Sequence, residues 1–232
     1  MMMAETCYNT SKFTITKEVE LMAIEKNSLS ILIGYLALMI AQMLAQKLCW
    51  GTQMLYPVLT VIGLLGALII WKLNQKYSYQ NIIEEKRSSL KKIILWGLSG
   101  ALLVVLGQAV TLTLAHVLFH QSLISQNTNA LITVFRHSPI YLLDIVIATP
   151  IVEELIFRKI FFGNLTYYFK PWIAAIISSF LFVIAHHDGH FLTYFVMGCI
   201  FEFIYYKAHD IRASMIAHAG LNLITLLLWG IH

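Results

Sequence analysis

The chain alternates long apolar runs with short polar joints. Apolar runs cover about 29–46, 54–71, 93–119, 139–165, 190–207 and 211–230, with a shorter one over 171–186. A helix rises 1.5 Å per residue, so roughly 20 apolar residues cross a bilayer core. The pattern therefore predicts an all-α, polytopic membrane helix bundle with about seven transmembrane helices. Lys170-Pro171 opens the short run, with proline placed where a helix start has no use for its missing N–H. Asp188-Gly189 closes that run in a turn. The joint 120–138 predicts a short amphipathic helix lying on the outer surface.

Composition agrees with this reading. Of 232 residues, 59% are hydrophobic and 12% charged, and the mean hydropathy is +0.73. A soluble domain is about half apolar and a quarter charged, so the excess apolar surface requires lipid. The net charge of +4 does not indicate nucleic acid; its distribution reports topology. Lys72, Lys76, Lys86, Arg87, Lys91 and Lys92 crowd one joint, and basic residues are enriched in cytoplasmic loops. Threading outward from that joint puts the N-terminus in the cytoplasm and the C-terminus outside. Lys159, Lys170, Lys207 and Arg212 then fall on the inner side, and Lys47 and Arg136 on the outer. Residues 1–27 are polar, lack the order of a cleaved signal peptide, and read as a cytoplasmic tail. Residues 28–232 read as the transmembrane domain, and Met22 stands as an alternative start. Cys7, Cys49 and Cys199 form no CxxC pair, so neither a disulfide framework nor a zinc knuckle is expected.

The polar chemistry lies in the second half. PIVEELIFRK places Glu153, Glu154 and Arg158 inside an apolar run; FVIAH ends in His186; HAGLN carries His218 and Asn222. Ionisable residues inside a membrane are costly and mark function. Counted from their helix ends, Glu153, His186 and His218 lie roughly 18, 22 and 11 Å deep, which brings all three near mid-bilayer. Glu154 and Arg158 are i and i+4, so they share a face and can pair. Glu153 points elsewhere, and a partly desolvated carboxylate suits general base work. His218 and Asn222 are also i and i+4 and could face one developing oxyanion. His186 could hold an attacking water with Glu153, or coordinate a metal. Asp144 and Glu202 fall outside these patterns and read as structural pairs or interfacial groups rather than pocket-lining ones. His187, Asp188 and His190 read as a wet outer turn, His116 and His120 as an interfacial pair. Gly63, Gly66, Gly97 and Gly100 read as points of close helix packing.

EELIFR resembles the EExxxR motif of the CAAX protease and bacteriocin-processing (CPBP, or Abi) family of intramembrane endopeptidases. FVIAH is similar to its FxxxH motif and HAGLN to its HxxxN motif, in the family's order. The resemblance covers about 139–230, a catalytic core within the bundle. It implies the fold of the Ras-converting CAAX prenyl endopeptidase and a membrane-associated peptide or protein as substrate. Carried over, Glu153 and His186 activate water, His218 and Asn222 form the oxyanion site, and Glu154 and Arg158 support them. Lys159 stands where the family usually has glycine. Bacterial relatives suggest bacteriocin immunity or maturation, pheromone processing or CAAX-type processing. The alternative is a non-catalytic membrane scaffold or immunity protein that binds a partner. A transporter ranks last, because internal repeats and paired broken helices are missing. No cofactor is expected. If zinc binds, Glu153, His186 and His218 are the ligands to test, although no HExxH pair is present.

Overall fold

The computed structural model describes residues 2–86 and 88–230, with side chains from Glu18 onward. Arg87, part of the basic joint, lies outside them. The elements in chain order are α1 (Met2–Cys49), α2 (Leu55–Lys76), α3 (Leu90–Phe119), α4 (Gln126–His137), α5 (Thr149–Glu154), α6 (Pro171–His186), α7 (Phe191–Ala208) and α8 (Ile211–Gly230). Among the described residues there is no strand. Among the described residues, five helices are long and apolar enough to cross a membrane, and α6 is a shorter apolar one. The molecule is thus a polytopic all-helical membrane protein. The first helix also runs through the segment read as a polar tail.

α5 is the central part of a composite helix over 139–167. A 3-10 turn (Pro139–Tyr141) and a π stretch (Asp144–Ala148) precede it, and a second π stretch (Leu155–Gly163) and a 3-10 turn (Asn164–Tyr167) follow. Pro150 supplies a reason. It has no N–H, and its ring crowds the carbonyl one turn earlier, so the preceding turn widens. Wide π turns recur at functional sites, and here two of them flank Glu153 and Glu154.

Around this rod, α3 packs on α7 and α8, α1 on α2, and α6 on α7. Large apolar side chains such as Leu95, Leu102, Leu106 and Leu118 on α3 stay exposed, as a lipid-facing surface requires. Gly100 allows close approach, since a Cβ there would sit 2.6 Å from Ile204 Cδ1. The expected amphipathic joint is α4, capped by Ser125 Oγ, which accepts from Thr128 N at 3.1 Å. It is an N-cap of the usual kind.

The basic joint between α2 and α3 is tied inward. Lys159 is buried, pairs with Glu84 and donates to Tyr79 O at 2.6 Å. Tyr205 Oη donates to Glu84 Oε1 at 2.7 Å, and His209 Nδ1 meets Ile83 O at 2.8 Å. The lysine that replaces the family's glycine is therefore matched by a carboxylate from a distant segment.

Candidate active site

Four of the six expected residues are in direct contact. Glu154 is fully buried, and its Oε2 lies 3.4 Å from Arg158 Nε, the i, i+4 pair expected from spacing. His218 Nδ1 lies 2.8 Å from Glu154 Oε1, and Ser214 Oγ donates to Oε2. His218 Nε2 points the other way, 3.8 Å from Glu153 Oε2. The histidine thus stands between two carboxylates that adjoin in sequence. Glu154 is a positioning group held from three sides. Glu153 is a quarter exposed, and its Oε2 has no hydrogen-bond partner.

Arg158 lies in an aromatic box. Its guanidinium carbon is 4.3 Å from the Phe182 ring centre and 4.9 Å from that of Phe201. A planar cation suits such a box, which shields the ion pair from water. Phe201 also stacks on His218 at 4.8 Å. Glu202, on α7, is buried beside this cluster and accepts from Ser179 Oγ at 3.0 Å. It belongs to the support of Arg158 rather than to a membrane interface.

His186 and Asn222 share a cavity of about 290 Å³ with Glu153 and His218. Each is held by a backbone carbonyl. His186 Nδ1 meets Phe182 O at 2.9 Å. A carbonyl only accepts, so Nδ1 carries the proton and Nε2 is left for proton transfer. The ring stacks on Tyr194 at 4.1 Å. Asn222 Nδ2 donates to Ile145 O at 2.8 Å. An amide nitrogen has two hydrogens, so one anchors the composite helix and the second remains. Among the described residues, no three His, Cys, Asp or Glu side chains form a metal-binding group. Glu153, His186 and His218 line one cavity without converging as ligands.

The turn after α6 is the expected wet turn only at His187, which is exposed; the Asp188 carboxylate and His190 are drawn inward. The Asp188 carboxylate is enclosed and accepts from Tyr194 Oη at 2.8 Å, His190 N at 3.2 Å and Asn127 N at 3.3 Å. His190 is buried, with Nε2 2.9 Å from Ser122 O. Burial alone would raise the Asp188 carboxyl, but hydrogen bonds from Tyr194, His190, Ser125 and Asn127 outweigh it and hold it below the ordinary aspartate range. Asp188 therefore fixes Tyr194, the platform under His186. The Asp-Gly signal located the turn but could not show that α4 would cover it.

The family model "Type II CAAX prenyl endopeptidase Rce1-like" matches residues 135–224. The chain is 32% identical over 175 residues to the membrane-embedded CAAX protease MroQ of Staphylococcus aureus (strain USA300), covering 72% of this chain and 71% of that protein. It is 32% identical over 172 residues to YdiL of Bacillus subtilis (strain 168), covering 73% of this chain and 69% of that one. A shorter stretch of 85 residues is 34% identical to the UPF0177 protein YxdF of Lactococcus lactis subsp. lactis (strain IL1403), covering 36% of this chain and 45% of that one. No solved structure matches the chain. Fold and site define a helical membrane protein in which a buried Glu154-Arg158-His218 cluster adjoins Glu153 on a cavity. The chain belongs to the CPBP family of membrane CAAX proteases.

Proposed function

We propose that the protein is an intramembrane endopeptidase that hydrolyses a peptide bond in a membrane-associated peptide or protein. The observation that carries this reading is the unpartnered Glu153 Oε2, 3.8 Å from His218 Nε2, on a cavity that His186 also lines. Glu153 takes a proton from a water held with His186, and the water oxygen attacks the substrate carbonyl. The second N–H of Asn222 and His218 in its doubly protonated form, with Nδ1–H to Glu154 and Nε2–H to the substrate, hold the oxyanion, and the proton on Glu153 passes to the leaving amine. Glu154 holds His218 by Nδ1, so Nε2 is the atom aimed at the reaction. Arg158 pairs with Glu154 and offsets its buried charge. No step runs through a metal, because the residues that would bind one do not converge.

The basic residues of the α2–α3 joint support a cytoplasmic N-terminus and an extracytoplasmic C-terminus in the cell membrane. Bacteriocin immunity or maturation, pheromone processing and CAAX-type processing are the candidate settings. A scaffold that binds a partner without catalysis has no use for a carboxylate oxygen that lacks a hydrogen bond, among the described residues, beside a polar cavity. The test is purified protein in lipid, incubated with candidate peptides and read by mass spectrometry against Glu153→Ala. Cuts made by the wild type alone support the reading. Equal product from both, or product from neither across a broad peptide set, removes it.

A further inference from the structure

Asp144 is unused by the chemistry above. It lies nine residues before Glu153 on the composite helix and is buried. Its side chain fills the place where a Cβ on Gly63 would stand, so α2 makes room for a carboxylate at this point. Thr149 Oγ1 donates to it at 3.5 Å, a weak contact, and the Tyr141 hydroxyl is a second donor; both are neutral. None of the ion pairs among the described residues involves it. A buried carboxylate normally has a cation.

Asp144 also lies where two cavities adjoin. The catalytic cavity of about 290 Å³ and a second of about 210 Å³ share Tyr35, Asp144, Thr149 and Glu153. The second continues between α1 and α2 past Leu38, Met39 and Gln42. Neither is lined by lysine or arginine. A chain reaching Glu153 along this path passes two carboxylates and no cation.

We propose that Asp144 is a specificity-determining residue that receives an ammonium or guanidinium group of the substrate, beside the scissile bond. This rests on the peptidase reading. Nine residues of helix span at most roughly 13 Å. An extended peptide covers about 3.3–3.6 Å per residue, so the cation belongs within about four residues of the cut bond. Its source is a lysine or arginine side chain or the free amino terminus of a short peptide.

The test uses the full-length protein in liposomes with a library of amphipathic peptides carrying a randomised stretch, in free and acetylated forms. Products are sequenced by mass spectrometry. The expected result is enrichment of lysine and arginine at one fixed position within four residues of the cut. A matched pair, lysine against norleucine there, should differ about 10–100-fold in kcat/KM. Loss of cleavage on acetylation alone would assign the cation to the amino terminus. Asp144→Asn should erase the preference while neutral peptides are still cut, whereas a merely structural role would lower both together. If Asp144→Asn does not fold, the wild-type profile still decides. Cleavage by the wild type with no basic preference at any position overturns this proposal and leaves the peptidase reading intact. Absence of any cleavage removes both.

Discussion

His218 Nδ1 lies 2.8 Å from Glu154 Oε1, and this contact sets what the neighbouring Glu153 can do. With Nδ1 engaged, only Nε2 faces the cavity, and it faces Glu153. Glu153→Gln removes the proposed base while leaving the Glu154 cluster intact. We expect kcat to fall by about 10²–10⁴, the usual range for general base catalysis, with thermal stability unchanged. Near wild-type turnover in a folded Glu153→Gln protein would take the base role away from this residue.

Arg158→Ala acts differently. Glu154 would keep its buried carboxylate and lose its only arginine. Removing one partner of a buried pair costs about 3–5 kcal/mol, and the Phe182 and Phe201 rings would close on an empty space. Lower abundance and a lower melting temperature should therefore accompany lower activity. A stable but inactive Arg158→Ala protein would move the residue into substrate binding.

These two residues also show what the sequence could reveal. The Glu154–Arg158 pair follows from i, i+4 spacing alone. The reach of His218 to both glutamates does not, because it depends on where α8 crosses the composite helix. Asp144 was missed for the same kind of reason: its place on the cavity exists only because Gly63 lies opposite on another helix. The run 139–165 reads as one continuous span, and its apolar pattern does not reveal the two π stretches that form on either side of α5. The apolar runs were legible throughout, since lipid demands nearly continuous apolar sequence.

The enclosed turn gives a pH dependence. Asp188 is held below its ordinary range by its donors. Its stabilising contribution is therefore complete above the unfolded value of about 3.9 and is lost as pH falls through the lower folded value. Thermal unfolding followed from pH 6 down to about pH 3 should show wild-type stability dropping toward the Asp188→Asn level. Parallel curves for the two proteins would mean that the carboxylate's charge is not what ties Tyr194 and α4 to the turn.

Metal removal should leave any peptidase activity intact. The proposed mechanism needs only a carboxylate, two imidazoles and an amide. Activity in liposomes after treatment with a strong zinc chelator, followed by elemental analysis, should match the untreated sample. Loss on chelation and recovery with about one equivalent of zinc would replace the water-activation scheme by a metal-bound one.

Asn222 separates anchoring from catalysis. Its Nδ2 donates one hydrogen to Ile145 O, and the second is free to meet an oxyanion. Asn222→Ala removes both. Leaving a partly buried carbonyl unpaired should lower stability by about 1–3 kcal/mol, and losing an oxyanion donor should cut kcat by about 10²–10³ with KM little changed. Asn222→Asp should be at least as damaging, since an ionised carboxylate donates nothing and would face both Ile145 O and the developing negative charge. Turnover is to be expressed per folded molecule, so that the two effects do not mix. If Asn222→Ala melts earlier yet turns over normally per folded molecule, the amide serves only the helix contact, and oxyanion binding rests on His218 Nε2 alone.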